Sequence, residues 1–229
     1  MGVIGIVSAL TLPNLNSSTG DKERVAKVKK IYRDLTDAYG RVEAVYGPYS
    51  DWGINHEVDK VNSNRFGERM TEFMKVSKDC KTDDASCFTS GKQKKLDGSE
   101  GGFGIDPDNS LYKIITADGM SIAFLSSGVG VAIITVDIDG PSKGSFTYGK
   151  DLFLFVLNEA SDFDILPGHS PYCSRTGKFS SKLSHLDGCS AAWIIQYDNA
   201  DYLQIQSVSG STATCKNGNT ITESHPRCK

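Results

Sequence analysis

The acidic run Asp137-Ile138-Asp139-Gly140, joined after Gly149 by Asp151, is where this chain comes nearest to a ligand set. Two carboxylates at alternate positions ahead of a turn glycine is how a calcium loop begins, because a hard cation collects oxygen donors from a tight turn. The further donors of an EF-hand and its bidentate Glu are missing, so the spacing supports only a looser calcium site shared by Asp137, Asp139 and Asp151. The alternative is a polar turn whose aspartates cap their own backbone. No other cofactor is called for. Four histidines (His56, His169, His185, His225) and Ser170 beside His169 raise the question of a hydrolase. Ser170 lies in a loop flanked by Pro and Gly, not in a G-x-S-x-G elbow, and no acid–His–Ser order can be argued. The histidines read as solvated loop residues, and no catalytic residue is expected. Gly101-Gly102-Phe103-Gly104 lacks the Lys-Ser/Thr of a phosphate-cradling loop and reads as a flexible connection.

Six cysteines, Cys80, Cys87, Cys173, Cys189, Cys215 and Cys228, all lie beyond the first third of the 229-residue chain in polar surroundings. An even count without a C-x-x-C pair reads as a disulfide framework, not a zinc site. Neighbour pairing, Cys80–Cys87, Cys173–Cys189 and Cys215–Cys228, is the simplest of the connectivities that six cysteines allow. Such bridges need an oxidising compartment, which places the globular part outside the cytoplasm.

The elements that carry these residues differ along the chain. Met1 to Pro13 is an uncharged, mostly apolar run, too short for the ~20 apolar residues that span a bilayer. It reads as the second half of a membrane-spanning helix. Pro13 and the polar stretch Asn14–Gly20 predict a break or kink. From Asp21 the recurrence of Val25, Val28, Ile31, Tyr32, Leu35, Ala38, Tyr39, Val42 and Val45 predicts an amphipathic helix ending at Gly47-Pro48. Between Asp21 and Asp34 lie six cations and three acids, while the whole chain carries a net charge of −3. That local basic excess suits an anionic membrane surface or a neighbouring subunit's acidic face, or else a solvated helix face. The modest net charge argues against a specific nucleic-acid partner.

A second helix is predicted over 62–78, then a polar loop over 79–104. Strands are expected at 111–116, 120–124, 129–136 and 152–157, the first two joined by the hairpin signal Ala117-Asp118-Gly119. Consecutive strands without helical crossovers predict an antiparallel sheet. Beyond Asp162 the chain reads as loop-rich, with one short helix over 190–196. Trp193, flanked by aliphatics, reads as core; Tyr46, Tyr49 and Trp52 either line a subunit interface or cover the end of the long helix. The expected architecture is α+β in two parts: residues 1–46, a long helix, and residues 47–229, a head with a sheet of about four strands and disulfide-braced loops.

This order of parts resembles the type IV pilins and the pseudopilins of type II secretion systems. The likeness rests first on Met1-Gly-Val-Ile-Gly-Ile-Val-Ser-Ala-Leu-Thr-Leu-Pro13, close to the second half of the prepilin-type N-terminal methylation motif. Lys27-Val-Lys-Lys-Ile-Tyr-Arg-Asp-Leu35, Val136-Asp-Ile-Asp-Gly140 with Gly149-Lys-Asp-Leu-Phe153, and Gly188-Cys-Ser-Ala-Ala-Trp-Ile-Ile195 with Asp201-Tyr-Leu203 are similar to segments of large bacterial pilin-like proteins. The resemblance implies a non-enzymatic structural subunit held first in the bacterial inner membrane. It then assembles, with copies of itself and other pilins or pseudopilins, into a helical filament at the cell surface or in the periplasm. The residues implied for the assembly helix are Ile4, Ile6, Val7, Leu10, Leu12 and Pro13. Some pseudopilins bind calcium in a comparable strand-to-strand loop, which bears on Asp137, Asp139 and Asp151. The contrasting expectation is a membrane-tethered extracytoplasmic binding module or enzyme, marked by a deep pocket with convergent polar groups.

Overall fold

The three- and four-residue recurrence that begins at Val25 becomes the buried stripe of helix α1 (Val3–Tyr46), with Val28, Ile31, Leu35, Ala38, Tyr39 and Val42 facing the core. The computed structural model describes residues 3–55, 57–89, 91–101, 111–126, 131–158, 164–169, 173 and 177–228, with side chains of α1 described from Thr19 onward. A break or kink was expected at Pro13 and Asn14–Gly20; helical backbone continues through them without a break. A proline deletes one intrahelical donor and crowds the preceding turn, but the turns on either side keep their own hydrogen bonds. At the far end α1 stops as predicted: Gly47 takes a positive φ of 76° and donates its N–H to the Glu43 carbonyl, and Pro48 follows.

Helix α2 (Lys60–Thr71) is capped by Asp59, whose carboxylate accepts the Asn62 N–H at 2.7 Å. It ends earlier than the sequence suggested, because Val76–Lys81 is taken as a strand, β1, by the edge of β2 (Tyr112–Thr116). Gly67 lets α2 lie against that sheet: a Cβ there would sit 2.2 Å from the Tyr112 ring.

The main sheet has six strands, not about four, in the sequential antiparallel order β1 to β6. After β2 come β3 (Ser121–Ser126), β4 (Val131–Asp137), β5 (Leu152–Asn158) and β6 (Ile165–Pro167). The Asp118-Gly119 hairpin between β2 and β3 forms as expected, with Gly119 at φ 88°. The part of the third expected strand before Val131 lies outside the described residues. Both faces of the sheet are covered, which explains why β5 reads as an unbroken apolar run. Phe153, Phe155 and Leu157 join α1 and the other helices in one core. Leu152, Leu154 and Val156 face a second core closed by Phe88, Phe146, Tyr148 and the Cys80–Cys87 bridge.

The C-terminal region is more ordered than its composition suggested. Helices α3 (Phe179–Ser184) and α4 (Leu186–Tyr197) replace the single short helix expected over 190–196. A second sheet joins β7 (Ile205–Ser209), β8 (Thr212–Cys215) and β9 (Thr220–Ile221). Strands of five, four and two residues rich in Ser and Thr carry too few apolar positions to register as a period of two. All three disulfides join neighbouring cysteines: Cys80–Cys87, Cys173–Cys189 and Cys215–Cys228. Trp193 is fully buried.

Candidate assembly surface

Ile4, Ile6, Val7, Leu10, Leu12 and Pro13 stand on the helical backbone of α1, and their side chains lie outside the described residues. Among the described residues, no helix is long and apolar enough to cross a membrane. The next part of α1 is the basic stretch, and most of its cations are used within the chain. The Lys27 ammonium meets Asp139 at 2.9 Å and Glu23 at 3.0 Å. Lys30 lies 2.6 Å from Asp34 and 2.9 Å from Asp118, and Lys29 pairs with Asp198 at 2.8 Å. Arg24 pairs with Asp21 and donates its Nε–H to the Lys150 carbonyl at 2.8 Å. Burial works against the Lys27 ammonium, but its hydrogen bonds to Asp139 and Glu23 outweigh that and raise its pKa. Hydrogen bonds to Asp34 and Asp118 raise that of Lys30.

These pairs give the basic stretch a local task. Asp118 sits in the β2–β3 turn and Asp139 in the turn after β4, and the two turns abut: a Cβ on Gly140 would lie 2.2 Å from the Gly119 carbonyl oxygen. Lys27 and Lys30, one helical turn apart, thus clamp two adjacent sheet turns onto α1. Partly exposed pairs like these contribute about 0.2–1 kcal/mol each, so they fix the register of helix on sheet more than they add stability.

The three aspartates expected to share calcium are divided among other partners. Asp139 belongs to Lys27, and Asp151 accepts hydrogen bonds from the Ser145 hydroxyl at 2.7 Å and the Thr147 N–H at 3.4 Å. Among the described residues no group of three or more His, Cys, Asp or Glu side chains gathers closely enough to hold a metal ion. Asp137, close to both, has neither an ion-pair nor a hydroxyl partner among the described residues. It is fully buried at the end of β4, where one carboxylate oxygen accepts the Asp139 N–H at 3.1 Å and Oδ2 has no partner. Ser121, paired opposite it on β3, and Thr135, two residues earlier on the same sheet face, also carry buried hydroxyls without partners. Burial, with Asp151 and Asp139 adding negative charge nearby, pushes the Asp137 carboxyl up to about 7.

No catalytic constellation is assembled from the described histidines. His185 contacts the Ser181 carbonyl at 3.0 Å and His225 the Ser224 hydroxyl at 3.0 Å. His169 has its pKa lowered by burial. His56, Ser170 and Gly102–Gly104 lie outside the described residues. Tyr49 and Trp52 are buried and cover the end of α1, with the indole N–H donated to the Gly47 carbonyl at 2.9 Å, whereas Tyr46 stays exposed.

One surface feature had no counterpart in the sequence reading. A groove of about 580 Å³ runs between α1 and the chain that follows α4, with the C-terminal segment at its rim. Val25, Ala26 and Ala200 supply its apolar part, and Lys22, Lys29, Arg33 and Arg227 its cations. Two of its acids are neutralised, Asp21 by Arg24 and Asp198 by Lys29, while Asp201 accepts the Cys228 N–H at 2.7 Å and keeps its charge. Among the described residues Lys22, Arg33 and Arg227 have no ion-pair partner, so the groove presents a positive rim around an apolar strip. At its far wall α4 ends at Asp198, which takes φ 54°. No family model, curated protein or solved structure matches this chain.

Proposed function

We propose that this chain is a structural, non-enzymatic subunit of a type IV pilus-like filament or type II secretion pseudopilus, assembling through its apolar N-terminal helix. The observation that carries the reading is the length and layout of α1. Its 44 residues correspond to about 66 Å of helix, and the side chains it gives to the core fall between Val25 and Val42. The apolar run at its start therefore shares one continuous helical backbone with the part that holds the head. Each such side chain buried against a neighbouring copy contributes ~1.5–3 kcal/mol, so a handful per subunit can hold a polymer together without covalent links. The three disulfides suit an oxidising, extracytoplasmic setting and brace the loops that such a filament would expose.

The test is electron microscopy of filaments sheared from cells producing the protein, labelled with an antibody to the head. Labelled filaments that vanish when Gly5–Pro13 is deleted are the expected result. Labelled filaments that persist after the deletion, or a chain recovered only as single molecules, would overturn the reading.

A further inference from the structure

The charge on α1 and the turn after it is sorted by position. Lys22 to Arg33 holds six cations and one acid, whereas Asp34 to Asp59 holds one cation and six acids. Within the head many of these are paired, and what is left over is complementary. At the lower end the unpaired cations are Lys22, Arg33 and Arg227, around the apolar strip of Val25 and Ala26. At the upper end Glu43, Asp51 and Glu57 are exposed and, among the described residues, without an ion-pair partner. The same segment of the chain carries some of the most exposed large apolar side chains: Val45 at 62%, Val58 at 58% and Tyr46 at 37%. Of the cations of that corner, Arg41 is paired with Asp37 and Lys60 with Asp83, while Arg65 donates to the Gly53 carbonyl and Arg69 lies over the Tyr46 ring, which leaves acids in excess.

We propose that the groove is the docking site for a second copy of this chain, which inserts the acidic and apolar corner at the end of its own α1. The inference rests on the filament reading and names the contact between neighbours. The two surfaces are different patches of one molecule, so the contact is heterologous and, with all copies pointing the same way, repeats without closing. Apolar side chains at the centre of the contact exclude water, and the charges at its rim set partner and register. From Ala26 to Val45 is 19 residues, so successive copies are displaced by about 28 Å along α1.

The four substituted residues of the test are exposed and outside the core, so the fold should tolerate them. One variant carries Arg33→Glu and Arg227→Glu, the other Glu43→Lys and Glu57→Lys, both in the full chain in mild detergent at low ionic strength. Sedimentation should show self-association weakened by about tenfold in each variant alone. An equimolar mixture should recover it, because each reversed surface then meets a reversed partner; thermal melting checks that both variants stay folded. Association unchanged in either variant, or no recovery on mixing, overturns the docking. Unmodified chains that make filaments while the mixture fails to recover would leave the filament reading standing without this contact. Recovery on mixing by chains that never form filaments would do the reverse.

Discussion

Replacing Trp193 by alanine is expected to be among the most damaging single changes to the head. The indole is fully buried and is the point at which the C-terminal elements meet. Its ring lies 4.9 Å from Tyr197, 5.6 Å from Phe179 and 6.1 Å from Tyr202, centroid to centroid. Its N–H donates to Asn199 Oδ1 at 2.9 Å, and Asn199 in turn donates to the carbonyls of Tyr197 and Pro226. Tyr202 reaches on to the Gly149 carbonyl at 2.6 Å, tying the cluster to the turn before β5. Large-to-small changes of this kind cost about 3–5 kcal/mol, a large part of the 5–15 kcal/mol that holds a domain folded. Trp193→Phe should cost far less. It keeps most of the ring, and Asn199 Oδ1 still accepts the Asp201 N–H at 2.9 Å, so the lost hydrogen bond is worth about 1 kcal/mol. Urea denaturation of the three proteins checks this. Equal stabilities for the alanine variant and the parent would show that the C-terminal elements do not depend on this cluster.

The second large effect is on pH dependence. Asp137 has an ordinary carboxyl value of 3.8 in the unfolded chain and about 7 in the fold, where burial disfavours its charge. Between those two values the folded protein holds a proton that the unfolded chain has released, so stability falls as pH rises through this window. Above about pH 7 the buried carboxylate is charged, and the whole displacement, about 4 kcal/mol, is felt as lost stability. Asp137→Asn keeps an oxygen for the Asp139 N–H and removes the ionisation. The variant should match the parent near pH 4, exceed it by up to about 4 kcal/mol at pH 8, and lose most of the slope between. Denaturation midpoints at several pH values measure it. Parallel stability curves for the two proteins would mean that Asp137 is not the group responsible.

How much of this was legible in the sequence depended on whether a feature was local. The buried stripe of α1, the Asp118-Gly119 hairpin and the cysteine pairing all follow from spacings of a few residues, and each is present. The strand Val76–Lys81 was hidden because the residues after α2 carry no clear period, and a sheet edge brought from more than thirty residues away decides their state. The same limit applies to charge. The basic stretch was visible, but Lys27 and Lys30 meet Asp139 and Asp118, and Lys29 meets Asp198, all from distant turns. What reads in sequence as a free cationic collar is largely an internal clamp, and the part left over, Lys22 and Arg33, acquires a groove only when Arg227 folds beside it.

Whether α1 is the polymerising element is decided by a helical reconstruction of the filaments by cryo-electron microscopy. The apolar start of α1 is expected to pack against its copies along the filament axis, with the bridged loops of the head outermost and neighbours about 28 Å apart along the helix. Filaments whose axis is built from the heads, with the start of α1 outside the core, would contradict it.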